Sequence, residues 1–187
     1  MKQIVLASKS PRRKELLEKC GVPFIIDVAD IDETINENNP LADEIRELAC
    51  RKAEAVLQRH GDAVVIGSDT IVTADGEVLG KPKDEEDAVR MLRKLSGRTH
   101  QVITGLAVVS AKRVWKAVSI SDVEFQPLSE EEIIRYVRTG EPMDKAGAYA
   151  IQGIASRYVK EIRGDYYAIM GLPVSVLYEE LKNIDLY

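Results

Sequence analysis

The spacing of apolar positions changes several times along the 187 residues, and each change predicts an element. Short continuous apolar runs at 4–8 (IVLAS), 22–29 (VPFIIDVA) and 63–69 (AVVIGSD) predict strands. Between the first two runs, residues 11–20 carry apolar positions at helical spacing. A longer helix is predicted from Pro40 to about His60, where about 100° of rotation per residue gathers Ile45, Leu48, Ala49, Ala53, Val56 and Leu57 on one arc. TIVTADGEVLGK predicts a hairpin turning at Asp75-Gly76, a pair that accepts the positive φ of a tight turn. Residues 84–95 predict a helix closed by Gly97, and HQVITGLAVVS with RVWKAVSISDVEFQ a long antiparallel pair. Residues 129–140 predict a helix with a capping start and a glycine stop. AYAIQG and YVKEIRG predict short strands, and 173–185 the final helix. The alternation implies an α/β protein with a mixed sheet, flanking helices and polar loops after strands.

Several charged residues break these patterns. Ser10 and Pro11 start the first helix well, since the Ser oxygen satisfies a free amide and Pro has its φ pre-set. Arg12 and Arg13 follow in the first turn, where the helix dipole disfavours cations by about 0.3–1 kcal/mol. Either they are solvated surface arginines, or an anion is held there by amides and guanidinium groups together. Arg13 also lies on the stripe of Leu16, Leu17 and Cys20. Lys52 falls inside the apolar arc of the second helix, where it either snorkels to the surface or points into a cleft.

Carboxylates mark the ends of apolar runs. Asp69 ends AVVIGSD, a position that in α/β sheets often lines a ligand crevice and otherwise serves turn chemistry. Asp32 and Glu33 stand in DIDET, as candidate ligands or as an acidic, capping loop; Lys81 follows the hairpin in LGKPK, where solvation is the simpler reading.

Composition narrows the partners. The 26 Lys+Arg against 31 Asp+Glu give a net charge of −5, which argues against general nucleic-acid binding and against adhesion to anionic membranes. No run approaches 18 apolar residues and no signal-peptide pattern opens the chain, so a cytoplasmic protein is expected. Cys20 and Cys50 lie far apart without a CxxC, which predicts reduced, partly buried thiols rather than a zinc site. No repeat or linker divides the chain, so residues 1–187 are expected to form one domain.

Arg12, Arg13, Lys52 and Lys81 with Asp32, Glu33 and Asp69 suit phosphate chemistry: cations for the oxygens of a nucleoside triphosphate, carboxylates for Mg²⁺ or Mn²⁺ and a water. No GxxxxGK[ST] is present, which excludes a P-loop enzyme.

LASKSPRRKELL, DIDET, the helix with Lys52, IGSDTIV, GKP at 80–82, HQVITG and DKAGAYAIQG run in an order that resembles the Maf family of nucleoside triphosphate pyrophosphatases, a family linked to septum formation. The resemblance implies an elongated inosine-triphosphatase-like fold with two lobes around a cleft, a homodimer, and water attack at the α–β phosphoanhydride to give a monophosphate and pyrophosphate. It implies Asp69 as proton acceptor and metal neighbour, and Glu33 as a second metal ligand. Arg13, Lys52 and Lys81 would bind phosphate oxygens, and Ser8 and Ser10 would add contacts. Arg12, Thr70 and Gln152 resemble the branch acting on dTTP and UTP, and an amide such as Gln152 can both donate to and accept from a uracil or thymine edge. The tasks implied are nucleotide-pool cleansing or division control. Two alternatives stay open. Asp30-x-Asp32-x-Thr34 imitates the nucleophile loop of haloacid-dehalogenase-type phosphatases, and a nucleotide-sensing regulator would bind without turnover.

Overall fold

The computed structural model describes residues 2–28 and 30–184. Strands β1 (Ile4–Leu6), β2 (Phe24–Ile26), β3 (Val64–Ala74), β4 (Glu77–Leu79), β5 (Thr99–Ser110), β6 (Arg113–Phe125) and β7 (Val159–Arg163) form one mixed sheet in the order β2-β1-β3-β5-β6-β7, with β4 paired to β3. Helices are α1 (Pro11–Glu18), α2 (Leu41–His60), α3 (Glu85–Leu95), α4 (Glu130–Val137), α5 (Tyr166–Met170) and α6 (Val174–Lys182). The chain divides into two compact units. Unit 1 comprises 1–69, 104–119 and 171–187, and unit 2 comprises 70–103 and 120–170.

In unit 1, β1 pairs in parallel with β2 and β3, Ile4 facing Phe24 and Val64 in register. All three β1 residues are buried, which explains the continuous apolar run. Against this layer α2 lays Ala49, Ala53 and Val56, packed with Val5, Ala7, Val65, Ala107 and Val109. The small residues allow a close approach, and two glycines set its limit. A Cβ on Gly67 would collide with the Ala49 carbonyl oxygen, and one on Gly105 with that of Ile45. Charge at the ends of α2 suits its dipole, with Asp43 and Glu44 in the first turn and Arg59 and His60 in the last. Cys20 and Cys50 are free and buried. Desolvation raises both thiols, Cys50 to about 11.

In unit 2 the β3–β4 hairpin turns at Asp75 and Gly76, both at positive φ (51° and 77°), as the sequence predicts. Helix α3 starts on Asp84, whose side chain accepts from the Asp87 amide, and packs against α4. A capping box between Ser129 and Glu132 opens α4. Strand β7 pairs antiparallel with β6, Val123 facing Ile162.

Two expectations need correction. AYAIQG is no strand: Gly147 and Ala148 take positive φ (69° and 60°), and the segment turns between 3-10 helices at Ala146–Ala148 and Ile154–Tyr158. Helix α5 is not predicted by the sequence, because YYAIM is too short for a period to register. The other predicted elements are present with shifted ends; residue 29, the last of the predicted second strand, and residue 185, within the predicted last helix, lie outside the described residues.

Candidate active site

Lys52 does not snorkel. Its Nζ lies 2.5 Å from Asp69 Oδ1 and 3.0 Å from Glu33 Oε2, all within unit 1. The Lys52 and Asp69 side chains are only 13% and 15% exposed, so this pair is far less screened than a surface ion pair, whereas Glu33 reaches in from an exposed loop at 62%. The fold produces this convergence simply. Gly67 lets α2 sit close to β3, Lys52 lies one helical turn beyond Ala49, and Asp69 follows Gly67 by two on the strand.

Arg13 stands beside this group. Its Nε donates to the Gly171 carbonyl (2.9 Å) and its Nη1 to Ser8 Oγ (3.3 Å), while Ser8 Oγ also accepts from the Ser10 amide. Ser10 caps α1 by accepting from the Arg13 amide at 3.4 Å. Burial presses the Arg13 pKa down, the negative field of Asp69 opposes this, and Arg12 adds to the lowering. Arg12 is half-buried in the same first turn, which contains no acidic residue. Ser68 was missed by sequence reasoning. It is fully buried next to Asp69, with its hydroxyl 2.8 Å from the Gly171 carbonyl and 2.9 Å from that of Gly105. Its contact with Gly171 spans 103 positions and leaves no local signal in the sequence.

The remaining candidates belong to unit 2. Thr70 is half-buried on β3, directly after Asp69. Lys81 is exposed on the loop after β4, and that loop meets the DKAG segment through the Gly147 amide, which donates to the Gly80 carbonyl (3.1 Å). Gln152 is exposed on a turn closed by the Gly153 amide and the Ala150 carbonyl (3.0 Å). Two distant motifs also join here. Buried His100 of HQVITG has Nε2 2.7 Å from Tyr149 OH of DKAGAY, and both rings stack edge-on with Phe125. Desolvation lowers His100 to about 4, with Asp122 opposing.

Among the described residues, no group of three or more His, Cys, Asp or Glu side chains is gathered as a metal cage. Two carboxylates reaching one ammonium nevertheless match the donor set that Mg²⁺ or Mn²⁺ takes when phosphate oxygens complete its shell. The Asp30 nucleophile loop gains no comparable support. Asp32 Oδ1 accepts from the Thr34 amide (2.8 Å) in a local turn, and Arg51 donates to the Asp32 and Thr34 carbonyls.

Residues 3–184 match the family described as Maf-like protein. The chain belongs to the Maf family. It is 50% identical over 185 residues to a dTTP/UTP pyrophosphatase of Bacillus mycoides (strain KBAB4), covering 99% of this chain and 97% of that one. With a dTTP/UTP pyrophosphatase of Bacillus cereus (strain G9842) the identity is 48% over 186 residues, covering 100% and 97%. Among solved structures it resembles the Staphylococcus aureus Ham1 protein, with TM-score 0.57, 17% identity and coverage of 97% and 99%. It also resembles a HAM1 protein from Coxiella burnetii, with TM-score 0.53, 15% identity and coverage of 98% and 100%. These two place the Maf chain in the Ham1-like, inosine-triphosphatase-type fold. The phosphatase alternative is not favoured by a family match that spans nearly the whole chain. No described helix is long and apolar enough to cross a membrane.

Proposed function

We propose that the protein is a nucleoside triphosphate pyrophosphatase that hydrolyses dTTP and UTP at the α–β phosphoanhydride. The observation that carries this reading is the Lys52 ammonium between Asp69 and Glu33, with Arg13 in the field of Asp69. The family and the names of the relatives supply the substrate class.

In this reading Asp69 is oriented by Lys52 through Oδ1, and Oδ2 accepts a proton from the attacking water. The water oxygen forms the new bond to phosphorus, the α–β bridging bond breaks, and the electron pair leaves with pyrophosphate. Arg13 and Lys52 hold phosphate oxygens and offset the charge that grows on the leaving group. Ser8 and Ser10 orient Arg13 and the first turn of α1. Glu33 and Asp69 would hold a divalent cation, which when bound would add positive charge against the phosphates and lower the pKa of a water. The arginines in an acid-free helix start are then explained, because the substrate brings the missing negative charge.

The roles of the unit 2 residues follow from their motifs: Lys81 as a further phosphate contact, and Thr70 and Gln152, with Arg12, as readers of the pyrimidine. The exposed Gln152 amide has a donor and an acceptor for a uracil or thymine edge. The same resemblance supports a homodimer and the cytoplasm as its place.

The test is product analysis with each common NTP and dNTP plus Mg²⁺ or Mn²⁺. Monophosphate and pyrophosphate should form fastest from dTTP and UTP. Nucleoside diphosphate with inorganic phosphate would overturn the bond assignment, and tight binding without turnover would favour a sensing role.

A further inference from the structure

The turn that carries Gln152 is irregular, yet one side chain from elsewhere in unit 2 fastens it. Glu141 is half-buried at the start of a 3-10 helix (Glu141–Asp144). Its Oε1 accepts from the Ile154 amide (2.9 Å) and its Oε2 from the Ala155 amide (3.4 Å) and from Tyr136 OH (2.6 Å). Those amides open the 3-10 helix Ile154–Tyr158, whose own cap residue, Gly153, has no side chain to satisfy them. Tyr136, fully buried on α4, also receives the Ala150 amide on its hydroxyl (3.4 Å). The segment is thus held on both sides of Gln152, at Ala150 and at Ile154–Ala155. Gly153 makes this possible, since a Cβ there would occupy the place of the Glu141 carboxylate.

A half-buried carboxylate that accepts from two backbone amides and a buried tyrosine is a costly arrangement for fastening one turn and the short 3-10 helix that follows it. What it fixes is the backbone on either side of Gln152, which stands exposed between the two anchors. We propose that Glu141, supported by Tyr136, is a positioning residue that sets nucleobase selectivity by holding the Gln152 turn. This rests on the reading of Gln152 as a base contact. Glu141 itself touches backbone and tyrosine, so it acts through Gln152 rather than on the substrate.

The experiment compares kcat/KM for UTP and GTP in the full-length protein and in Glu141→Ala, Glu141→Gln, Gln152→Ala and the Glu141→Ala/Gln152→Ala double variant, with amide hydrogen exchange on each. Glu141→Ala should reduce the UTP-over-GTP ratio about tenfold, mainly through KM for UTP. Exchange at Ile154 and Ala155 should accelerate in the same variant. Glu141→Gln keeps an oxygen for the Ile154 amide and should recover most of the ratio. The double variant should be no less selective than Gln152→Ala, because the two act as one unit. If Glu141→Ala does not fold, Tyr136→Phe, which removes the Ala150 anchor, should lower the ratio in its place. A ratio lowered by Gln152→Ala but unchanged in the Glu141 and Tyr136 variants overturns the proposal while sparing the reading of Gln152. A ratio unchanged in Gln152→Ala overturns both, and the exchange data then show whether Glu141 still fastens the turn.

Discussion

Around Lys52 in unit 1, position is set largely by backbone: two glycines, Gly67 and Gly105, admit α2 to the sheet, Lys52 and Asp69 ride on regular elements, and Glu33 reaches in from a loop. Around Gln152 in unit 2 it is set by side chains, because residues 146–158 lack a ladder of their own and are tied by Glu141, Tyr136 and the His100–Tyr149 contact. The difference matches the proposed tasks. Groups that handle phosphate and water need fixed charge in fixed geometry, which a helix and a strand provide. A reader of the base needs a shape that can differ between relatives, and a turn held by a few side chains can change with one substitution.

The comparison breaks most directly at Lys52. In Lys52→Met the cation between Asp69 and Glu33 is gone while the aliphatic stem still fills its place, so kcat/KM for UTP should fall about 10²–10³-fold. Thermal unfolding should show the variant folded. Activity within a few-fold of wild type would detach Lys52 from the chemistry and leave the ion pair as a structural tie.

The unit 2 segment is sharpened by pH. His100 is buried and its pKa is lowered from 6.5 to about 4 by desolvation, so the unfolded chain binds its proton first. The stability due to the neutral ring is therefore complete above about pH 6.5 and is lost as pH falls towards 4. That loss is about 3 kcal/mol in order of magnitude. Denaturant unfolding of wild type and His100→Gln between pH 7 and 4 should show the wild type losing more stability by this amount. Parallel curves would mean that His100 is not held neutral.

What was legible in the sequence follows the same division. Lys52 stood out because a charge inside an apolar arc contradicts its helix, and Asp69 because a carboxylate ends a buried strand; periodicity exposes such residues. Arg13 stood out against the helix dipole. Ser68 and Glu141 gave no such contrast, since a serine before an aspartate and a glutamate before a proline are ordinary turn neighbours. Their partners are Gly171, 103 positions from Ser68, and Ile154, 13 positions from Glu141. The same blindness made AYAIQG look like a strand: alternating side chains were visible, but the positive φ of Ala148 was not. Family motifs marked the segment as important without revealing what holds it.

The central claim is that Asp69 accepts the proton from the attacking water, and Asp69→Asn tests it with little change of shape. Nucleotide binding by calorimetry and turnover by product chromatography would be measured on the same preparation. The account predicts dTTP and UTP binding near that of wild type with turnover reduced about 10³-fold or more. Turnover close to wild type in that variant would contradict it.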